Sequence, residues 1–181
     1  PWDTTVLIQG ESVYGKEVIA NYIRQSSSRG DKPMISLNCA AFPENLIETE
    51  LFGYEKGAFT GANQAGKMGM IEAAHGSTLF LDEINSLPLS AQGKLLRTLE
   101  DKYITRIGST TKKKIDFRLI AATNQDLRQL VKKGLFREDL YYRLQVVPLT
   151  IPPIRSRKED ILPLCQHFME YFCNKYNIRK S

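Results

Sequence analysis

Five short runs of aliphatic and β-branched residues recur along the chain at intervals too long for hairpins, and this spacing constrains the fold more than any other feature. They are residues 5–9 (TVLIQ), 34–38 (MISLN), 78–82 (TLFLD), 118–123 (RLIAAT) and 146–151 (VVPLTI). Each is apolar enough to be buried on both faces, as strands of a parallel sheet are. Parallel strands need crossover connections, and amphipathic stretches supply them. Residues 16–25 place Ile19, Tyr22 and Ile23 on one helical face, and residues 91–99 do the same with Leu95, Leu96 and Leu99. The pattern predicts a doubly wound α/β domain, a five-stranded parallel sheet flanked by helices.

Composition agrees with one globular domain. The 181 residues are 42% hydrophobic and 25% charged, and a chain near this size buries roughly 70% of its unfolded surface without a disulfide or metal staple. Twenty-five Lys and Arg against 20 Asp and Glu give a net charge of +5, which favours phosphates but is modest for a dedicated nucleic-acid binder. Three cysteines without a CxxC pair, together with two histidines, make no zinc site and point to a reducing cytosol. No apolar run reaches 18 residues and no signal peptide opens the chain, so no membrane contact is expected. Both ends read as cut from a longer protein.

Residues 52–69 contain Gly53, Gly57, Gly61, Gly66 and Gly69, too many breakers for a regular element, and are expected to form a long functional loop. After residue 151 the segment PPIRSRKED ends the sheet region, and helical periodicity resumes through Ile161, Leu162, Cys165, Phe168, Met169 and Phe172. The expected division is an α/β subdomain over 1–155 and the start of a truncated helical subdomain over 156–181.

Directly after the first strand comes GESVYGKE, comprising Gly10, Glu11, Ser12, Val13, Tyr14, Gly15, Lys16 and Glu17. It has the spacing G-x-x-x-x-G-K at the opening of a helix, where backbone N–H groups cradle phosphate and a lysine neutralises it. A glycine-rich turn with a solvated lysine is the competing explanation, and Glu17 stands where many such loops carry a magnesium-holding Ser or Thr. TLFLDE puts Asp82 and Glu83 at the C-terminal end of a strand, suited to a magnesium ion and to activating water; capping of the following turn explains them equally well in isolation. Thr123 and Asn124 end the next strand, suited to sensing a γ-phosphate, with capping of the helix after Asp126 as the alternative. FREDLYYRL carries Arg137 and Arg143, candidates for stabilising a transition state in trans unless they are solvated surface arginines. Phe59 stands among small residues, Gly57, Ala58, Thr60, Gly61 and Ala62, that cannot bury it, so it either tucks into the core or meets a partner. The Lys112–Lys114 run reads as a solvated hairpin tip, with a nucleic-acid patch as the rival.

GAFTGA at residues 57–62, with SLNCAA, LFLDEI, AATNQDL, FREDLYYRL and PPIRSRKEDI around it, resembles the central AAA+ P-loop NTPase domain of bacterial enhancer-binding proteins, activators of sigma-54 RNA polymerase. The resemblance implies ATP and Mg²⁺ as cofactors, with Lys16 on the phosphates, Asp82 on the metal, Glu83 activating water, and Asn38 restraining Glu83 as a nucleotide-dependent switch. It implies a first sensor at Thr123 and Asn124, a hexameric ring in which Arg137 and Arg143 reach the neighbour's nucleotide, and contact of Phe59 and Thr60 with the sigma-54 holoenzyme. Arg106 and Ile107 would lie in a second loop supporting the first. The first and third strands would be neighbours, and a helix-turn-helix for DNA would lie outside this chain, in a bacterial cytoplasmic protein. Val13 and Tyr14 replace the family's usual glycine and threonine. If either side chain is held at φ > 0, the cost is on the order of 1–3 kcal/mol, which leaves a hydrolysis-impaired scaffold as the alternative to an ATPase. Tyr54 replaces the family's usual histidine, a change expected to be mild.

Overall fold

A computed structural model describes residues 3–11, 13–58 and 65–176, with Val13 and Tyr14 described by their backbone alone. Ser12, Phe59, Thr60, Gly61 and Ala62 therefore lie outside the described residues. The elements in order are β1 (Val6–Gln9), α1 (Val13–Gln25), β2 (Met34–Asn38), α2 (Glu44–Phe52), β3 (Gly53–Tyr54), β4 (Lys67–Met68), α3 (Met70–Ala73) and β5 (Thr78–Asp82). They continue with α4 (Leu89–Asp101), β6 (Tyr103–Thr105), β7 (Lys112–Lys114), β8 (Arg118–Thr123), α5 (Leu127–Lys132), α6 (Glu138–Leu144), β9 (Val147–Thr150) and α7 (Ile161–Tyr176). The chain divides into two compact units, residues 1–151 and 152–181.

The five apolar runs form one parallel sheet in the order β2-β5-β8-β1-β9. Side chains alternate across it. Leu7, Leu79, Leu81, Leu119 and Ala121 enter a large core with α2, α4, α5 and α6, while Val6, Ile8, Phe80, Ile120 and Ala122 pack with Ala20 of α1 on the opposite face. Burying each such aliphatic side chain contributes about 1.5–3 kcal/mol, which is why the inner strands read as unbroken apolar runs.

Three expectations are corrected. β1 and β5 are not neighbours, because β8 lies between them and pairs with both. All six residues of β8 are buried, and its RLIAAT sequence suits the most enclosed strand. Neither edge strand is buried on both faces: β2, paired with β5, fully buries only Leu37, and β9 is exposed along its length and among the described residues pairs only with β1, an edge position that tolerates Pro148, which has no N–H to donate. On α1 the buried stripe runs through Lys16 and Ala20, flanked by half-buried Ile19 and Ile23, leaving Tyr22 70% exposed.

The glycine-rich stretch is also more ordered at its base than a plain loop. β3 and β4 pair antiparallel, Gly53 opposite Met68 and Tyr54 opposite Lys67. A Cβ on Gly53 (φ +72°) would sit 2.4 Å from the Lys67 carbonyl oxygen, and one on Gly69 2.4 Å from the Gly53 nitrogen. Two backbones meet here at a separation only glycine permits. The Lys112–Lys114 run forms an exposed strand of the β6–β7 hairpin, not its tip, with Lys113 paired to Glu72.

In the second unit, α7 follows two short 3₁₀ turns and leaves Leu162, Phe168, Met169 and Phe172 exposed. No helix among the described residues is long and apolar enough to cross a membrane.

Candidate functional site

Parallel strands end on the same side, so the turns after β2, β5, β8 and β1 share one end of the sheet. The register makes this concrete: Asn38 is level with Asp82, Gln9 is level with Thr123, and the Gly10 amide donates to the Thr123 carbonyl at 3.1 Å. Open α/β sheets bind ligands at this end.

Gly10 leaves β1 against Ile151, whose Cβ and carbonyl oxygen would both lie 3.0 Å from a Cβ at position 10. The turn then feeds α1, which begins at Val13, so Gly15 and Lys16 lie in its first turns. Lys16 is 1% exposed, and its Nζ donates to the Gly10 carbonyl at 2.9 Å. The lysine is buried and folded back over its own turn, contrary to the solvated-lysine explanation. Val13 and Tyr14 have helical backbone, so the strain of φ > 0 does not arise there. Glu17 is exposed on α1.

At the end of β5 the two acids separate in role. Asp82 Oδ1 accepts the Glu83 N–H at 2.9 Å. Glu83 itself has φ 51° and ψ 47°, a left-handed conformation shared among described non-glycine residues only with Lys102. Its side chain makes no capping bond to the 3₁₀ turn over Ile84–Ser86, so capping does not account for it. A non-glycine residue held there stores strain of roughly 1 kcal/mol or more. The carboxylates also act on Cys39, whose thiol is pushed up to about 12, chiefly by burial and further by Asp82 and Glu83.

No cluster of three or more metal-ligating side chains occurs among the described residues. Magnesium does not require one, because it is held through one or two carboxylates, water and phosphates. Asp82, with Oδ1 engaged by the Glu83 amide, fits that pattern.

Asn38 Oδ1 accepts from the Ala40 amide at 2.9 Å, capping the turn that follows β2. Thr123 is fully buried; its Oγ1 donates to Asn85 Oδ1 at 2.8 Å and accepts from the Gln125 amide at 3.1 Å. Asn124 is exposed, and Asp126, not Thr123 or Asn124, caps α5. Asn85 was not anticipated; a polar residue two positions after the acidic pair was its only signal. Arg137 is the N-cap residue of α6, and Arg143 lies in its last turn. Arg137 pairs with Asp139 at 2.7 Å, and Arg143 Nη2 donates to the Leu99 carbonyl at 3.1 Å.

A second locus surrounds the base of the glycine-rich loop. Tyr54 bridges to Ile107 at the tip region of the β6–β7 hairpin, and Gly108 packs on Ala58. Arg106 donates to both Glu72 oxygens at 2.8 and 2.9 Å and reaches Glu55 at 3.4 Å. Its hydrogen bond, with that of Lys113, holds the Glu72 carboxyl below the usual range against the opposing effect of burial. Gly57 has φ +75° with open space around a Cβ, so the backbone and not packing calls for glycine there.

The family model for the Sigma-54 interaction domain matches residues 1–150. The chain is 53% identical over 169 residues to the putative uric acid sigma-54-dependent transcriptional regulator UacR of Escherichia coli (strain K12), covering 93% of this chain and 28% of that protein. It is 53% identical over 171 residues to the regulatory protein AtoC of the same strain, covering 94% and 37%. The chain thus spans well under two thirds of these relatives. The crystal structure of NtrX from Brucella abortus in complex with ATP superposes with a TM-score of 0.90 at 38% identity, covering 99% of this chain and 38% of that one. The sheet and its flanking helices make up the α/β AAA+ fold.

Proposed function

Because the chain belongs to the Sigma-54 interaction domain family, we propose that it is an ATP-hydrolysing domain that acts on sigma-54 RNA polymerase to activate transcription. The observation that carries this reading is Glu83, an acid with no capping role in a left-handed backbone conformation at the sheet end that also holds buried Lys16. Strain at an acidic side chain persists where surrounding structure enforces it, and such positions gather at functional sites.

In this reading Lys16 exchanges the Gly10 carbonyl for the phosphates of ATP, aided by the amides of residues 10–17 at the opening of α1. Asp82 would hold Mg²⁺, which supplies neutralisation of phosphate charge. Glu83 takes a proton from the attacking water, and Thr123 and Asn124 sense the γ-phosphate. Asn38 restrains Glu83 by donating from Nδ2 to its carboxylate, a bond that Oδ1 can leave open while it keeps the Ala40 N–H. Arg137 and Arg143 serve the nucleotide of a neighbouring subunit in a ring; Arg137 holds Asp139 through Nε and Nη2, so its Nη1 can meet a phosphate while that pair persists. Phe59 and Thr60, within Gly57, Ala58, Gly61 and Ala62, meet sigma-54, and Arg106 and Ile107 brace that loop. The helical backbone at Val13 and Tyr14 removes one argument for an impaired scaffold.

The test is Phe59→Ala in the full-length protein: ATP turnover and assembly are retained while promoter opening fails. Normal activation by this variant would remove the loop from the mechanism.

A further inference from the structure

Gln92 is a polar residue on the apolar face of α4, beside Leu95, Leu96 and Leu99, and it is fully buried. Its amide is well satisfied. Oε1 accepts the Arg137 backbone N–H at 2.8 Å, and Nε2 donates to the carbonyls of Leu87 at 2.7 Å and Leu135 at 3.2 Å. A carboxamide is a neutral side chain that can accept one N–H and donate two, which a hydroxyl cannot.

These partners belong to two segments with different tasks. Leu87 closes the turn that begins at Glu83. Leu135 and Arg137 form the connection into α6, where Arg137 is the N-cap residue and has no side-chain capping bond of its own. The Arg137 guanidinium lies over the next residue of α4, its Nη1 3.7 Å from where a Cβ on Gly93 would be.

We propose that Gln92 is the positioning residue for Arg137: it fixes the backbone from which the guanidinium projects and ties that point to the turn behind Glu83 of the same chain. The inference rests on the reading in which Arg137 serves a neighbouring subunit. A misplacement near 1 Å at such a group costs on the order of a hundredfold in rate, so the expected loss on removing the Gln92 bonds is about tenfold to a hundredfold in turnover.

The experiment uses full-length protein in two-subunit mixtures. Lys16→Ala subunits, whose ATP binding is weakened, present Arg137 and stay empty at an ATP concentration that fills only their partners; Arg137→Ala subunits hold ATP but present no arginine at that position. Turnover in the mixture then reports an arginine acting across an interface. Gln92→Met placed in the Lys16→Ala subunit should lower that turnover about tenfold to a hundredfold. The same substitution in the Arg137→Ala subunit should change it less than about twofold, since the group it positions is already gone. A general structural role predicts equal losses in both arms, and equal losses, no loss, or loss only in the second arm overturns the proposal. Absence of turnover in the parent mixture overturns the trans reading itself and the inference with it. If Gln92→Met lacks a cooperative thermal transition, Gln92→Leu, which likewise removes the acceptor of the Arg137 N–H and adds no charge, is carried through the same two arms with the same criteria.

Discussion

Glu55 and Ile107 are joined backbone to backbone: the Glu55 amide donates to the Ile107 carbonyl at 3.0 Å, while the Ile107 amide donates to Gly53 at 3.0 Å. The hairpin tip region and the base of the glycine-rich loop therefore shift together, and Arg106 with Glu72 holds them against α3. This junction gives the first prediction.

The Glu72 carboxyl is held below its ordinary value by Arg106 and Lys113. A depressed folded-state pKa means the stabilisation is present above the unfolded value of about 4.3 and is lost as pH falls through the folded value. Amide exchange at Glu55 and Ile107, corrected for intrinsic rates, should accelerate on acidification below about pH 4. Glu72→Gln should show faster exchange already at neutral pH and lose that acid dependence. An unchanged acid dependence in the variant would assign the effect to other carboxyls.

Glu83→Gln should lower ATP turnover by about 10²–10⁴-fold with ATP binding retained, because the amide keeps the shape and cannot accept a proton. Single-turnover hydrolysis alongside a nucleotide-binding titration checks it. Comparable turnover in both proteins would remove Glu83 from the chemistry.

Lys16→Ala should weaken ATP binding itself by about 10–100-fold, the loss of one charge-assisted hydrogen bond to phosphate. Calorimetric titration reads this directly, and an unaltered Kd would leave the buried lysine as a structural group.

Much of this arrangement was legible in the chain and some was not. Apolar runs with helical stretches between them announce strands and crossovers, because burial on both faces leaves no polar position to alternate. Strand order is different: it depends on which strand the packing encloses, and RLIAAT does not say that it separates the phosphate-loop strand from the acidic one. At the site, residue types at the ends of strands could be read, since parallel strands deliver them to one side. The left-handed backbone of Glu83, the Thr123–Asn85 bond and the bridge made by Gln92 are tertiary facts. Two of them left a trace: Gln92 as a polar residue on the stripe that ends in Leu99, and Asn85 as a polar residue two positions after the acidic pair.

Gly53→Ala should destabilise the domain by more than about 1 kcal/mol, since it combines a positive φ with a contact no Cβ can keep. Gly15→Ala meets open space in helical backbone and should leave stability unchanged or raise it by up to about 1 kcal/mol. Chemical denaturation of the two variants side by side tests the contrast; equal destabilisation would contradict it.

Cys39 should resist alkylation in the native protein near pH 8, because its thiol, pushed up to about 12, is overwhelmingly protonated as well as buried. Exposed Cys165 should react first. Mass spectrometry of peptides after brief iodoacetamide treatment, with and without denaturant, separates the sites, and early labelling of Cys39 would contradict its enclosure.

The close meeting of Gly53 and Gly69 turns the segment between β3 and β4 into a closed ring from the standpoint of chain statistics. Among the described residues, its ends are brought together by the glycine pair and by the backbone bonds of Gly53 and Glu55 to Ile107 of the hairpin behind it. Doubling the number of residues between Tyr54 and Lys67 would then add only about 0.6 kcal/mol of closure entropy. The domain can carry inserts of very different length and chemistry at this position while its sheet, core and phosphate turn stay as they are.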